Sequence, residues 1–198
     1  HRVIGVDLRG GDVTADLSTK EGRQHALEQI YEKAGGRLDG AVLAAGLGPI
    51  PGKEKIIAEV NYCGIVEILE GIHELLAAAG NAKVVIFSSN STTTVPGIPP
   101  EIVAAFRERN TDKVMELIAE AGPEAAPTLA YAGSKTAVSH WIRTIGVDQE
   151  WAGRGIRVNA IAPGAIRTPM VEAQLNDPKL APAIKAFPIP VREFGKPE

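Results

Sequence analysis

Lys83-Val84-Val85-Ile86-Phe87-Ser88 is a short run, apolar almost throughout, that follows a long stretch of helical periodicity at 53–79. A strand of this composition is one covered on both faces, which points to a parallel sheet rather than to a half-solvated antiparallel one. Working outward, comparable runs occupy 40–45 and 156–161 on either side, 2–7 near the start and, briefly, 13–15. Segment 19–34 opens with Thr19 after Ser18 and continues through Glu21, Gln24, Ala26, Leu27 and Ile30, a capping residue followed by a helical stripe. Segments 53–79 and 128–152 read as two further helices. This alternation predicts an α/β fold with a parallel sheet and crossover helices.

Pro96, Pro99 and Pro100 break the chain after the 83–88 strand, and a helical stripe follows at 101–121 through Ile102, Val103, Phe106, Val114, Leu117 and Ile118. That stretch reads as an insertion, with an Ala/Pro-rich loop at 121–127 behind it. No internal repeat is present, and the tail from Pro178 onward has no clear period. With 198 residues, 44% hydrophobic and 23% charged, one domain spanning 1–198 is the expectation.

A net charge of -3 with dispersed basic residues argues against nucleic acid or an anionic membrane as partner. No apolar run reaches the ~18 residues needed to span a bilayer, and the start lacks the pattern of a secretory signal. One cysteine, Cys63, excludes an intrachain disulfide and fits a reducing compartment, so a soluble cytoplasmic protein is expected. His1, His25, His73, His140 and Cys63 are scattered without ligand spacing, so no metal is expected. The chain opens at His1, directly into what reads as a strand, and residues are expected before it.

In open α/β sheets ligands bind at the carboxyl ends of the strands. Asp7 ends the first run, where a carboxylate either accepts both hydroxyls of an adenosine ribose or is merely a solvated loop acid. Asp16 either meets an adenine edge or helps cap the helix that follows, the simpler role. Ala45-Gly46-Leu47-Gly48 follows 40–44 and lets a ligand approach the backbone, as any tight turn would. Ser88, Ser89 and Ser91 put hydroxyls after the next strand. Tyr131-Ala132-Gly133-Ser134-Lys135 sets a phenol and an ammonium on one helical face. A phenol titrating near ~10 needs roughly 4 kcal/mol of phenolate stabilisation to act as a base near neutrality, and a neighbouring Lys⁺, helped by a bound cationic nicotinamide, has the right sign. Asn61 with Gly64 interrupts an otherwise apolar helix; Asn61 either holds a water that relays protons from Lys135 or is an exposed helix residue. Pro163-Gly164 and Thr168 follow the last strand, with a hydroxyl that a nicotinamide amide could use or that simply turns the chain.

In order and spacing these features resemble the short-chain dehydrogenase/reductase family over nearly the whole chain. Asp7, Ala45-Gly46, Val60-Asn61-Tyr62-Cys63-Gly64, Ser88-Ser89, Tyr131 with Lys135, and Arg157-Val158-Asn159 leading to Pro163-Gly164 and Thr168 carry the likeness. The resemblance implies a Rossmann-like doubly wound parallel sheet with helices on both faces, here lacking the first strand with its glycine-rich loop and the last strand. It implies Asn61, Ser89, Tyr131 and Lys135 as the catalytic set, Ser89 being the second serine of the family's pair. Asp7, Asp16, Leu17, Ala45, Gly46, Tyr131, Lys135, Pro163, Gly164 and Thr168 would bind the cofactor, with Asp7 favouring NAD over NADP and Arg9 as the one nearby hint against.

A narrower likeness, in 3–9, 15–23 and 129–135, is to the bacterial 3α-hydroxysteroid dehydrogenase/carbonyl reductases, with the coniferyl-alcohol dehydrogenases sharing part of it. Ser89 and Tyr131 stand 42 positions apart, and the extra length is the insertion at about 92–127, expected either to roof the substrate site or to block a helix-helix dimer face. The function implied is NAD(H)-dependent interconversion of a secondary alcohol and a ketone on a hydrophobic substrate, by a homo-oligomer. Aryl-alcohol oxidation, a non-catalytic nucleotide sensor of this fold, and a sugar-nucleotide epimerase or dehydratase are the alternatives.

Overall fold

The computed structural model describes residues 2–178 and 180–197; His1, one of the scattered histidines, lies outside them. The first half runs β1 (Val6–Asp7), β2 (Val13–Thr14), α1 (Lys20–Ala34), β3 (Gly40–Leu43), α2 (Glu54–Ala58), a π-helical turn (Glu59–Gly64), α3 (Ile65–Gly71) and α4 (His73–Ala77). The second half runs β4 (Lys83–Phe87), α5 (Ser91–Thr94), α6 (Pro100–Arg107), α7 (Thr111–Glu120), α8 (Ala126–Ile145), β5 (Arg157–Ile161), α9 (Pro169–Asn176) and α10 (Ala181–Lys185). β1 and β2 form a parallel pair, and β3-β4-β5 form a second parallel sheet in the register Val42, Val85, Asn159. The fold is thus α/β and Rossmann-like, as the alternation predicts.

Local chemistry accounts for most boundaries. Thr19 is extended (φ -115°, ψ 149°), and its hydroxyl accepts from Gly22 N, while Gly35 closes α1 in the left-handed region. The expected helix 53–79 is instead broken in two places, by the π turn around Asn61 and at Ile72. The chain after β2 packs against the first of these, Leu17 facing Gly64. The stripe at 101–121 is two helices, because Arg109 takes a left-handed φ of 56° and Asn110 then caps α7 by accepting from Lys113 N. The tail contains α10 and a parallel bridge between Ile166 and Gly195.

Among the described residues the buried core lies on one face of β3-β4-β5. Val84 and Ile86 are fully buried in one core cluster with Ile57, Val66, Leu69 and Val138. On the opposite face Val42 is 68% exposed and Ile161 45%. The helices that follow β2, β3 and α7 all join that single core, which leaves the other face open. The stretch expected as an insertion packs α6 and α7 on α8 and α2. Gly133 permits this: a Cβ would meet Ile102 Cγ2 at 3.0 Å and the Phe106 ring at 3.1 Å. Among the described residues no helix is long and apolar enough to cross a membrane.

Candidate active site

β4 delivers its last residues to the side of α8, where consecutive serines take separate tasks. Ser88 is turned inward, 2.7 Å from Ser139 Oγ, and serves helix packing. Ser89 Oγ accepts from Ser91 N at 3.1 Å and sits close enough to the Tyr131 phenol to draw its titration downward. With one lone pair occupied by a backbone N–H, the Ser89 proton remains available for an oxygen placed beside Tyr131.

Lys135 lies one helical turn beyond Tyr131, 5% exposed, and its Nζ donates to Phe87 O at 2.7 Å. Burial lowers its ammonium to about 8. The Tyr131 phenol is pushed above its usual value by burial, with Ser89 acting in the opposite direction. The Lys135 ammonium is directed at the Phe87 carbonyl, and desolvation is the larger influence on Tyr131.

Asn61 is fully buried, not an exposed helix residue. Its Oδ1 accepts from Leu47 N at 2.8 Å and its Nδ2 donates to Leu47 O at 2.9 Å, so the amide clamps the turn after β3. The π turn projects this side chain out of the helical ladder toward that turn. Gly46 stands between the two functional groups, a Cβ on it lying 3.3 Å from Asn61 Oδ1 and 3.6 Å from Lys135 Nζ. Ala45 precedes it in the same exposed turn.

The remaining candidates are at strand ends but engaged locally. Asp7 is exposed, one oxygen accepting from Arg9 N at 3.0 Å. Asp16 accepts from both Ser18 N and Ser18 Oγ, which holds its carboxyl below the usual range, while the helix cap itself is Thr19. Leu17 is half-buried, its carbonyl accepting from Arg23. Pro163 O accepts from Asn90 N at 3.1 Å, which brings Pro163-Gly164 beside the end of β4. Thr168 caps α9, its hydroxyl 3.5 Å from Val171 N.

Three side chains near these groups had no mark in the sequence. Arg23 is 6% exposed and binds Glu59 and Glu67 at 3.0 and 2.6 Å, joining α1 to the π turn and α3. Gln174, 7% exposed, brings its amide against Gly48, where a Cβ would come within 2.7 Å of it. Asn90 directs its amide toward Gly164. Only Asn90, next to the serine pair, could have been singled out from its position.

Residues 114–198 match the family described as Enoyl-(Acyl carrier protein) reductase. The chain is 34% identical over 197 residues to the 3-alpha-hydroxysteroid dehydrogenase/carbonyl reductase of Comamonas testosteroni, covering 100% of this chain and 76% of that protein. A Tropinone reductase homolog of Datura stramonium is 28% identical over 194 residues, 92% of this chain and 60% of the relative. The crystal structure of the 3-alpha-hydroxysteroid dehydrogenase from Pseudomonas sp. B-0831 complexed with NADH matches with a TM-score of 0.90 at 36% identity, over 100% of this chain and 76% of that one. A likeness that runs unbroken from the first strand to the tail, around a buried Ser-Tyr-Lys grouping, makes this chain a member of the short-chain dehydrogenase/reductase family of oxidoreductases.

Proposed function

We propose that the protein interconverts a secondary alcohol and a ketone on a hydrophobic substrate of the 3α-hydroxysteroid or carbonyl type, using NAD(H). The observation that carries this reading is the placement of Ser89 beside Tyr131, one turn from the buried ammonium of Lys135, which donates to the Phe87 carbonyl. Ser89 and Tyr131 together hold the substrate oxygen; Tyr131 gives its phenolic proton to that oxygen in reduction and takes it back in oxidation. Asn61 positions the Gly46 turn through Leu47, and Lys135, next to it, supplies positive charge.

The turn after β3 fits a dinucleotide, since Gly46 leaves bare backbone beside both Asn61 and Lys135. Asp7 would take the adenosine ribose, with Asp16 and Leu17 near the adenine; Ala45, Gly46, Tyr131, Lys135, Pro163, Gly164 and Thr168 would take the nicotinamide half. The nicotinamide, when bound, supplies or accepts the hydride. The Asp7 carboxylate keeps one oxygen outside its Arg9 turn, which favours two ribose hydroxyls and disfavours a 2′-phosphate. NAD is therefore the cofactor of this reading. In it residues 1–198 form one dinucleotide-binding domain with 92–127 inserted, in a cytoplasmic homo-oligomer.

The test is NADH formation on a panel of 3α-hydroxysteroids and aryl alcohols, with Tyr131→Phe as control. The variant is expected to lose about 10²–10⁴-fold in kcat, the usual worth of a positioned acid–base group. Equal activity of wild type and variant on every alcohol would sink the assignment. A tenfold preference for NADP⁺ would overturn the role given to Asp7.

A further inference from the structure

From 88 to 94 the chain carries a hydroxyl at every position except 90, where an amide stands. The fold uses nearly all of these groups. Ser88 is bonded to Ser139; Thr92 Oγ1 donates to Ser89 O at 2.9 Å; Thr93 and Thr94 both donate to Asn90 O, at 2.9 and 3.1 Å. Ser89 Oγ accepts from Ser91 N and lies beside Tyr131. Within 88–94 two polar side chains are left over: the amide of Asn90, which makes no cap, and the hydroxyl of Ser91, which is buried without a partner.

Asn90 is the more informative of the two. An Asn immediately before a helix ordinarily adopts extended backbone and accepts from an N–H two or three residues on. Here its backbone is helical, at φ -67° and ψ -11°, and its side chain makes no cap. The amide instead reaches across to the end of β5, with Nδ2 3.8 Å from where a Cβ on Gly164 would stand, and its own N–H holds Pro163 O. It is half-buried, between the serine that holds the reacting oxygen and the turn assigned to the nicotinamide.

We infer that Asn90 is a specificity-determining residue whose amide hydrogen-bonds a second oxygen of the substrate, carried on the carbon next to the reacting one. This rests on the proposed function and narrows it: preferred substrates are α-hydroxy ketones and vicinal diols on an otherwise apolar framework. An amide suits this task because it offers an acceptor to a hydroxyl and a donor to a carbonyl. The second oxygen is a bystander. In reduction the hydride goes to the ketone carbon, the Tyr131 proton goes to its oxygen, and the neighbouring C–O bond is unchanged.

The experiment compares kcat/KM with NADH for 2-hydroxyacetophenone and acetophenone in wild type, Asn90→Leu and Asn90→Ala, with the KM for NADH measured alongside. Wild type should prefer the hydroxy ketone by roughly tenfold or more, the effect of one hydrogen bond to a partly buried group. Both variants should bring that ratio to near one through loss on the hydroxy ketone, with the KM for NADH held. Absence of a preference in wild type overturns the inference. So does a ratio that survives in the variants, including the case where the KM for NADH rises and the amide serves the cofactor. If wild type reduces neither ketone while reducing other carbonyls, the inference fails and the proposed function stands; if it reduces no carbonyl, both fall.

Discussion

Lys135 sets chemistry against stability at a single residue. Its ammonium is almost wholly removed from water and held by one carbonyl, and burial lowers it from an ordinary 10.5 to about 8. Between those values the unfolded chain binds more protons than the native one, so this residue makes stability rise with pH across about 8 to 10.5. Below that window the folded state bears the full cost of the buried charge, on the order of 3 kcal/mol. Lys135→Met removes that cost but leaves the Phe87 carbonyl without its donor, which offsets about 1–3 kcal/mol. The variant should therefore be inactive yet at least as stable at pH 7, and urea midpoints should show its advantage over wild type shrinking toward pH 10. A midpoint lower than wild type at pH 7 would contradict this account. Tyr131, Lys135, Ser89 and Asn61 were legible because each is a polar residue where the pattern calls for strand end or helix interior. The partner of Asn61 was not, since Leu47 offers only its backbone, and nothing in a leucine announces that. Nor was the direction of the Tyr131 shift, which depends on how much water the fold excludes.

At the level of elements, the helices were legible as stripes and their interruptions were not. Periodicity continues through the π turn at Glu59–Gly64 because buried residues occur on both sides of it, and the break at Arg109 falls on a residue with no left-handed preference. The Thr19 cap, by contrast, is written in the sequence, because a cap is a local hydrogen bond within four residues. Contact between α6 and α8 depends on Gly133, the middle of the Tyr131–Lys135 motif. Gly133→Val is expected to overpack that contact against Ile102 and Phe106, costing about 1–3 kcal/mol. Urea unfolding of the single variant, Phe106→Ala and the pair should reveal non-additivity, the double variant losing less than the sum. Additive losses would mean that the two helices do not meet through this glycine.

At the level of the whole molecule, two separate parallel sheets are held together by helix packing and by one cation. Arg23 on α1 reaches Glu59 and Glu67 on the far side of that junction, with its own side chain 7% exposed. Arg23→Ala leaves two partly buried carboxylates facing each other, a loss of about 3 kcal/mol. Both tryptophans, Trp141 and Trp151, lie in the half that contains α8, so their fluorescence reports that half while circular dichroism reports both. Non-coincident urea curves in the variant, against coincident ones in wild type, are the expected outcome; coincident curves in both would show that α1 is held without the arginine. The bridge at Ile166 and Gly195 bears on a different matter. Arg167 N bonds Gly195 O at 2.8 Å and Gly195 N bonds Ala165 O at 3.0 Å, so the segment bearing α9 and α10 is closed into a loop by one bridge beyond the end of β5. Closing a loop costs only slightly more as it lengthens. A residue added within the loop bearing α9 and α10, away from Met170 and Gln174, which touch Gly48, therefore costs little in closure while the bridge holds its ends.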